Sequence, residues 1–485
     1  MKLNNTFSTA ILFIFVMSVL GVAYYAHSVA GFGLPPPWWD EGQFLWPADS
    51  IANHNTLFTE HLNPNRPIFL MLMGYSVIMG LIFKVVPFSI EAGRLLSFAW
   101  ITIAAFLFGS IARRWSIRWL VWSLISLFTI SRPFVVAGNI VRPEAFCWLL
   151  VVGAMATANV RPWLSLSILF LMPLIHPNGV WFAAAGVGAT CLTWSHMKRR
   201  FHKSDWIWFS LVCFGWITLG AHAAFHWHDF MKDISFSLFA YPESILNKFQ
   251  RLLLNPEQSP YFFVALGLVL YWRKQAPNRC WMAILSATML AVPALRIQMW
   301  YAVFSAAGQM VSLSLLLLWI SERPVFTAIQ RRIALAVLFL LAGWHLHRAE
   351  TIAGPRGYPY DMTWGWGMIT ENKDIPYITD QDRAAVAAEL LPLMSSDDPK
   401  RVNFLPDGDA FFFMKYAEQG LIGYQPAGGA PKADYYVVHD TRYLPPWTKR
   451  SRTIQFENTY ISRQIRVRSA TESWVLICPL STNNL

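Results

Sequence analysis

Apolar runs separated by short polar turns recur from Phe7 to His345, and they restrict the fold of this 485-residue chain severely. Backbone buried in hydrocarbon must satisfy its own N–H and C=O groups, and a helix does so within one segment. The sparse charge supports the membrane reading. Charged residues make up 14% of the chain, against about 25% in soluble domains, and 55% of the residues are hydrophobic. The 24 Trp suit the headgroup boundary, where the ring is buried and the N–H stays wet. The expected fold is an all-α polytopic membrane bundle.

The net charge of +11 raises the question of nucleic acid. Its Lys and Arg instead cluster in short loops between apolar runs, as cytoplasmic loops do. No nucleic-acid motif accompanies them. Cys147, Cys191, Cys213 and Cys280 lie in or beside apolar segments, and the five cysteines contain no C-x-x-C pair, so neither a disulfide framework nor a cysteine zinc site is indicated. The run Phe7 to Tyr25 is long for a signal peptide and reads as a retained first helix. A cleaved leader ending near Ser28-Val29-Ala30 is the alternative.

The positive-inside rule orders the rest. With the N-terminus inside, residues 31–67 form a large first outer loop. Ile68 to Phe83 is then a re-entrant or interfacial segment between Pro67 and Pro87. If it crossed, Arg113, Arg114 and Arg118 would face outside. The crossings that follow are Ala92 to Ala112, Trp119 to Val136, Ala145 to Ala158, Trp163 to Ile175, Val180 to Trp194, Trp206 to Phe225, Tyr261 to Trp272, Trp281 to Leu295, Met299 to Ile320 and Ile333 to His345. About eleven transmembrane helices result, counting the first. Residues 1–349 form the membrane domain. Residues 350–485, after the Gly354-Pro355-Arg356-Gly357 linker, form a small outer α/β domain, with a helix over Thr379 to Met394 and strands at Tyr435 to Val438 and Trp474 to Cys478.

This topology sends several polar motifs to the outer face. Asp40 and Glu41 follow Pro35-Pro36-Pro37-Trp38-Trp39 in the first loop. A carboxylate beside hydrocarbon needs a partner or a task, and taking a proton from an attacking hydroxyl is such a task. Arg142-Pro143-Glu144 and His176-Pro177-Asn178-Gly179 arrive at the same face, as do Arg66 and Arg296. An Arg fork suits a phosphate, and His176 can donate to a phosphate oxygen or bind a cation. The bland alternatives are a local Arg142–Glu144 ion pair and a helix-end histidine bonded to backbone. His222 and His226 share a helix face at metal-chelating spacing with His228 nearby, but Ala223 stands where zinc peptidases carry Glu.

The order of these features resembles the GT-C superfamily of membrane glycosyltransferases, in particular its protein O-mannosyltransferase and aminoarabinose-transferase branch. It comprises one helix, an outer loop with Asp-Glu after aromatics, a basic-Pro motif, Arg-Leu-Leu-Ser, a basic cluster and Arg-x-Glu, covering Phe7 to Gly179. The resemblance implies that Asp40 is the catalytic base with Glu41 beside it, and that Glu144 is the second acidic site residue. Arg66-Pro67 matches the family's Lys-Pro-Pro motif with Arg for Lys and Ile68 for the second Pro. Asn65 stands where the aminoarabinose branch has a metal-binding Glu, which argues against that zinc site and against lipid A modification.

The function expected is transfer of a hexosyl or pentosyl unit from a polyprenyl-phosphate donor to a glycan, lipid or protein acceptor, with inversion, at the outer face of the inner membrane. Asp40, Glu41 and Glu144 are the catalytic candidates. Arg66, Arg142, Arg296 and His176 are the candidates for the donor phosphate, with or without a divalent cation (Mg or Mn). His222, His226 and His228 are the candidate metal ligands. A flippase of a lipid-linked glycan is the rival reading. It would place polar groups at mid-membrane, where these runs carry few charges.

Overall fold

The computed structural model describes residues 39–56, 73–129, 131–138, 140–197, 202–232, 245–256, 258–295, 301–323, 327–352, 402–405, 435–438, 463–467 and 473–479. The helices are α1 (Trp39–His54), α2 (Gly74–Phe83), α3 (Ile90–Ala112), α4 (Arg118–Thr129), α5 (Arg132–Gly138), α6 (Pro143–Thr157), α7 (Pro162–Ile175), α8 (Gly179–Leu192), α9 (Asp205–Phe225), α10 (Ile245–Leu254), α11 (Ser259–Trp272), α12 (Pro277–Leu295), α13 (Ala302–Ser321) and α14 (Ala328–Ile352). The apolar runs from Ala92 onward all fall on helices. Trp119 to Val136 is divided between α4 and α5, where Pro133 lacks the N–H that an unbroken helix would use.

By length and composition, α3, α9 and α13 are long and apolar enough to cross a membrane. Their surroundings differ. In α13, 89% of the apolar window is buried, and the helix packs on α4, α5, α6, α11, α12 and α14. A helix apolar on every side belongs in the middle of a bundle. In α9 the share is 11%, and Trp206, Ile207, Phe214 and Ile217 face outward. Such a surface suits lipid.

Close helix contact is made by small residues, as expected where lipid tails remove the hydrophobic drive between helices. A Cβ on Gly308 of α13 would lie 2.7 Å from Leu290 Cγ and 3.1 Å from the Ser286 carbonyl oxygen of α12. At the same contact the Ser286 hydroxyl donates to the Gly308 carbonyl at 2.7 Å and pairs with the Ser312 hydroxyl at 2.6 Å. Both hydroxyls are thereby satisfied in an apolar setting.

The bundle has two unlike ends. At one, Arg161 binds Asp205 at 2.6 Å, Ser116 meets Ser321 at 3.0 Å, and Arg279 bonds Glu322. Arg323 lies over the rings of Tyr271 and Trp319. The Ser116–Ser321 contact puts the Arg113–Arg118 corner at the same end as Arg323, as the positive-inside assignment requires. At the other end lie the starts of α6, α8 and α13 and the finish of α7.

One feature departs from the expected first outer loop. Residues 39–54 are helical rather than loop, with Phe44, Leu45, Trp46 and Ala48 buried and Pro47 tolerated inside. Asn55 closes that helix with φ 53°, a left-handed conformation that Asn accepts. The next helix, α2, has ten residues and is about 15 Å long, half of the roughly 30 Å hydrocarbon layer. It covers the later part of the segment Ile68 to Phe83, whose residues 68–72 lie outside the described residues. Gly80 fits it against Ala48 and Ile51 of α1, and Gly74 fits it against the Leu174 carbonyl of α7. The α1–α2 hairpin thus lies at the second end of the bundle.

Near the C-terminus, strands β1 (Val402–Leu405), β2 (Tyr435–Val438), β3 (Arg463–Val467) and β4 (Ser473–Pro479) form one sheet of order β1-β2-β4-β3. The pair β1–β2 is parallel and the others are antiparallel. The strands expected at Tyr435 to Val438 and Trp474 to Cys478 are β2 and β4. The expected helix at Thr379 to Met394 lies outside the described residues.

The α12–α13 contact is testable. Gly308→Leu should force these helices apart and cost about 1–3 kcal/mol. Thermal unfolding of the purified protein in detergent reads this directly, and an unchanged midpoint would contradict the packing.

Candidate functional site

The segment Val141–Glu144 opens α6. Pro143 takes the first helical position, where its missing N–H costs nothing, and Glu144 lies in the first turn beside the positive end of the helix dipole. Arg142 precedes them in extended conformation and turns back onto Glu144. Its Nη2 donates to Oε1 at 2.9 Å, and its Nε lies 3.2 Å from Oε2. Both side chains are buried. The guanidinium also lies 5.9 Å from the centre of the Phe44 ring, which joins α1 to this corner.

His176 caps the C-terminal end of α7 and faces the same carboxylate. Its Nδ1 accepts the Asn178 N–H at 3.1 Å. In the neutral ring the proton is therefore on Nε2, which lies 3.7 Å from Glu144 Oε1. The ring edge meets Tyr301, just before α13, with centroids 5.6 Å apart. The turn that carries His176 is tight. A Cβ on Gly179 would lie 2.3 Å from the Met172 carbonyl oxygen and 2.4 Å from Pro173 N, so only glycine fits there. Both alternatives read from the sequence hold locally: Arg142 and Glu144 form an ion pair, and His176 bonds backbone. The fold also brings the two motifs together.

Glu41 is reassigned by its surroundings. It was expected beside Asp40 as a catalytic group. Instead it has no exposed surface, and Arg94, equally buried, clamps it with Nε to Oε1 at 3.0 Å and Nη2 to Oε2 at 2.7 Å. The Val141 N–H donates to Oε1 at 2.8 Å. Both oxygens are engaged, so Glu41 is a buried anchor rather than a proton acceptor. Gly93 allows the junction to close, since a Cβ there would lie 2.8 Å from Val141 Cγ2 and 3.2 Å from Leu45 Cδ2. The first turn of α1, which carries Asp40, is thereby tied to the residue preceding Arg142.

The remaining candidates divide. Arg66 and Arg296 lie outside the described residues. His222 and His226 do adjoin, with ring centres 5.1 Å apart. Yet among the described residues no three His, Cys, Asp or Glu side chains are grouped to hold a metal, so the expected set with His228 is not formed. The i, i+4 spacing supplies two ligands, and His228, two residues on and exposed, does not complete them. Tyr301 was not anticipated. Its signal was the aromatic pair Trp300-Tyr301 at the start of an apolar segment. Helix α10 was missed too, although Ile245, Leu246, Phe249 and Leu252 repeat at helical spacing.

No family model and no curated protein matches the sequence. Among solved structures, the chain is similar to the crystal structure of ArnT from Cupriavidus metallidurans bound to undecaprenyl phosphate. The identity is 13%, with 97% of this chain and 98% of that chain covered and a TM-score of 0.52. At this identity the likeness shows a shared fold along nearly the whole of both chains.

The Arg142–Glu144 pair gives a test. Replacing Glu144 by Leu removes the carboxylate bound to a buried guanidinium and should cost roughly 3–5 kcal/mol. Arg142→Met combined with Glu144→Leu should recover much of that loss. Additive losses in such a double-mutant cycle would mean that the two side chains do not interact.

Proposed function

We propose that this protein is an inverting glycosyltransferase that takes its sugar from a polyprenyl-phosphate carrier. The observation that carries the reading is the Arg142–Glu144–His176 cluster, buried at one end of the helix bundle beside the helix that bears Asp40. ArnT, whose fold this chain resembles, was crystallised with undecaprenyl phosphate.

The donor phosphate binds Arg142, joined by Arg66 and Arg296, with His176 Nε2–H as a further donor. Asp40 takes the proton of the acceptor hydroxyl as its oxygen attacks the anomeric carbon. The bond from that carbon to the phosphate oxygen breaks, and the polyprenyl phosphate leaves with the electron pair. Attack opposite the leaving group inverts the anomeric centre, by the logic that also governs inverting glycosidases. Glu144 orients the acceptor. A divalent cation, magnesium or manganese, would serve the phosphate in the same place.

An apolar groove of about 400 Å³ supports a lipid carrier. Trp181, Ala185, Gly188 and Leu192 of α8 form one wall, with α11 and α12 opposite. The Thr288 hydroxyl in its lining already donates to the Ile284 carbonyl. The groove begins near Trp181, five residues after His176. Each prenyl methylene buried there contributes about 0.8 kcal/mol.

In the full reading, about eleven helices cross the inner membrane. Residues 350–485 form an outer domain, the cluster faces the periplasm, and the acceptor is an envelope glycan, lipid or protein.

Two experiments test this. Purified protein in liposomes should transfer sugar from polyprenyl-phosphate donors and not from nucleotide sugars. Asp40→Asn should lower the rate about 10²–10⁴-fold, Arg142→Ala should raise the donor KM, and Glu144→Gln should mainly harm the acceptor step. Transfer from a nucleotide sugar alone refutes the reading. For sidedness, His54→Cys in a cysteine-free background should react with an impermeant thiol reagent in intact cells, while Arg114→Cys should not. The reverse labelling pattern overturns the orientation.

A further inference from the structure

The Glu41–Arg94 pair is more than a brace between helices. Three segments meet at it: the first turn of α1, the first turns of α3, and the residues just before Arg142. Each contact is specific in kind. Arg94 presents a two-pronged fork that matches both carboxylate oxygens, which fixes orientation as well as distance. The Val141 N–H gives Oε1 a second donor from a different direction. Gly93 excludes any side chain that would hold Val141 and Leu45 away. All of this is sealed from solvent, so the geometry is stiff.

The chemical burden of such a pair is considerable. A desolvated Arg–Glu pair often adds little net stability compared with apolar residues of similar volume. Its retention calls for another role, and its location supplies one. Asp40 is the chain neighbour of Glu41, and Arg142 is the chain neighbour of Val141. The latch therefore ties together, one residue away on each side, the proposed base and the proposed phosphate ligand.

We propose that Glu41 is a positioning residue: through Arg94 and the Val141 N–H it sets the spacing between Asp40 and the Arg142–Glu144–His176 cluster, and hence the alignment of acceptor and donor. It touches neither substrate. This rests on the functional reading above, in which Asp40 and Arg142 serve opposite partners of one displacement. A misplacement of about 1 Å between reacting groups can cost roughly 10²-fold in rate, whereas donor affinity depends on Arg142 and the tail groove, which the latch does not enter.

The test uses the full-length protein in liposomes with the polyprenyl-phosphate donor that supports wild-type transfer. Glu41→Gln keeps the volume and one acceptor oxygen but weakens the clamp. Per folded molecule, it should lower kcat by about 10- to 100-fold and change donor KM less than about threefold, whatever the loss of folded yield. Arg94→Lys, which keeps the charge and loses the fork, should lower kcat similarly. Gly93→Ala, which disturbs the same junction without touching a charge, should also reduce kcat at constant donor KM. Loss of folded yield in step with activity, with kcat per folded molecule at the wild-type level, would show a brace only and overturn the inference. A kcat for Glu41→Gln within about twofold of wild type would overturn it as well. If wild type transfers nothing from any polyprenyl-phosphate donor, the functional reading falls first. If wild type is active and Asp40→Asn lowers the rate while Glu41→Gln does not, the inference alone fails.

Discussion

A guanidinium with no exposed surface, held by a carboxylate with none, is the interaction on which this corner of the molecule depends. Removing either partner would strand a charge in a low-dielectric setting at a cost of several kcal/mol. Arg94 and Glu41 must therefore stay together, and everything attached to them is located in consequence. Helix α1 cannot drift from α3, the approach to α6 cannot swing away from α1, and Phe44 stays beneath Arg142. The same rule appears at the other end of the bundle, where Arg161–Asp205 and Arg279–Glu322 link helices whose middles are apolar. These ion pairs lie near helix ends, and there they hold the bundle in register.

The central helix obeys a different constraint. Buried on nearly every side, α13 has little lateral freedom, and its polar atoms have been given partners on the neighbouring helix, as Ser286 and Ser312 illustrate. Tyr301 stands immediately before α13, with its ring against His176. The histidine is thus positioned from two directions: by the backbone of its own turn through Nδ1, and by the start of the most deeply buried of the three long apolar helices.

Much of this was legible in the sequence because apolar runs and basic loops report directly on burial and sidedness. Among the described residues, the runs from Ala92 onward are largely helical. The meeting of Arg142, Glu144 and His176 followed from topology alone. What was not legible depended on contacts between distant residues. Glu41 and Arg94 are 53 positions apart, and Glu41 and Val141 are 100 apart, so neither spacing nor pattern could reveal that the second carboxylate of Asp40-Glu41 is already engaged. Helix α1 was hidden by Pro47 and by Trp-rich flanks that resemble a boundary loop. The histidines at the end of α9 differ in the opposite sense, because ligand spacing on one helix says nothing of the third ligand a metal needs.

The turn after His176 has a consequence of a different order. Gly179 folds its backbone so closely onto Met172 and Pro173 that even a methyl group has nowhere to go. It binds no ion, donates no proton and touches no substrate. Yet every missense change of its codon adds a side chain. In a population of genes, alleles that silence this protein while leaving every polar group of the cluster intact should therefore accumulate at codon 179, and a screen scored only by chemistry would pass over them.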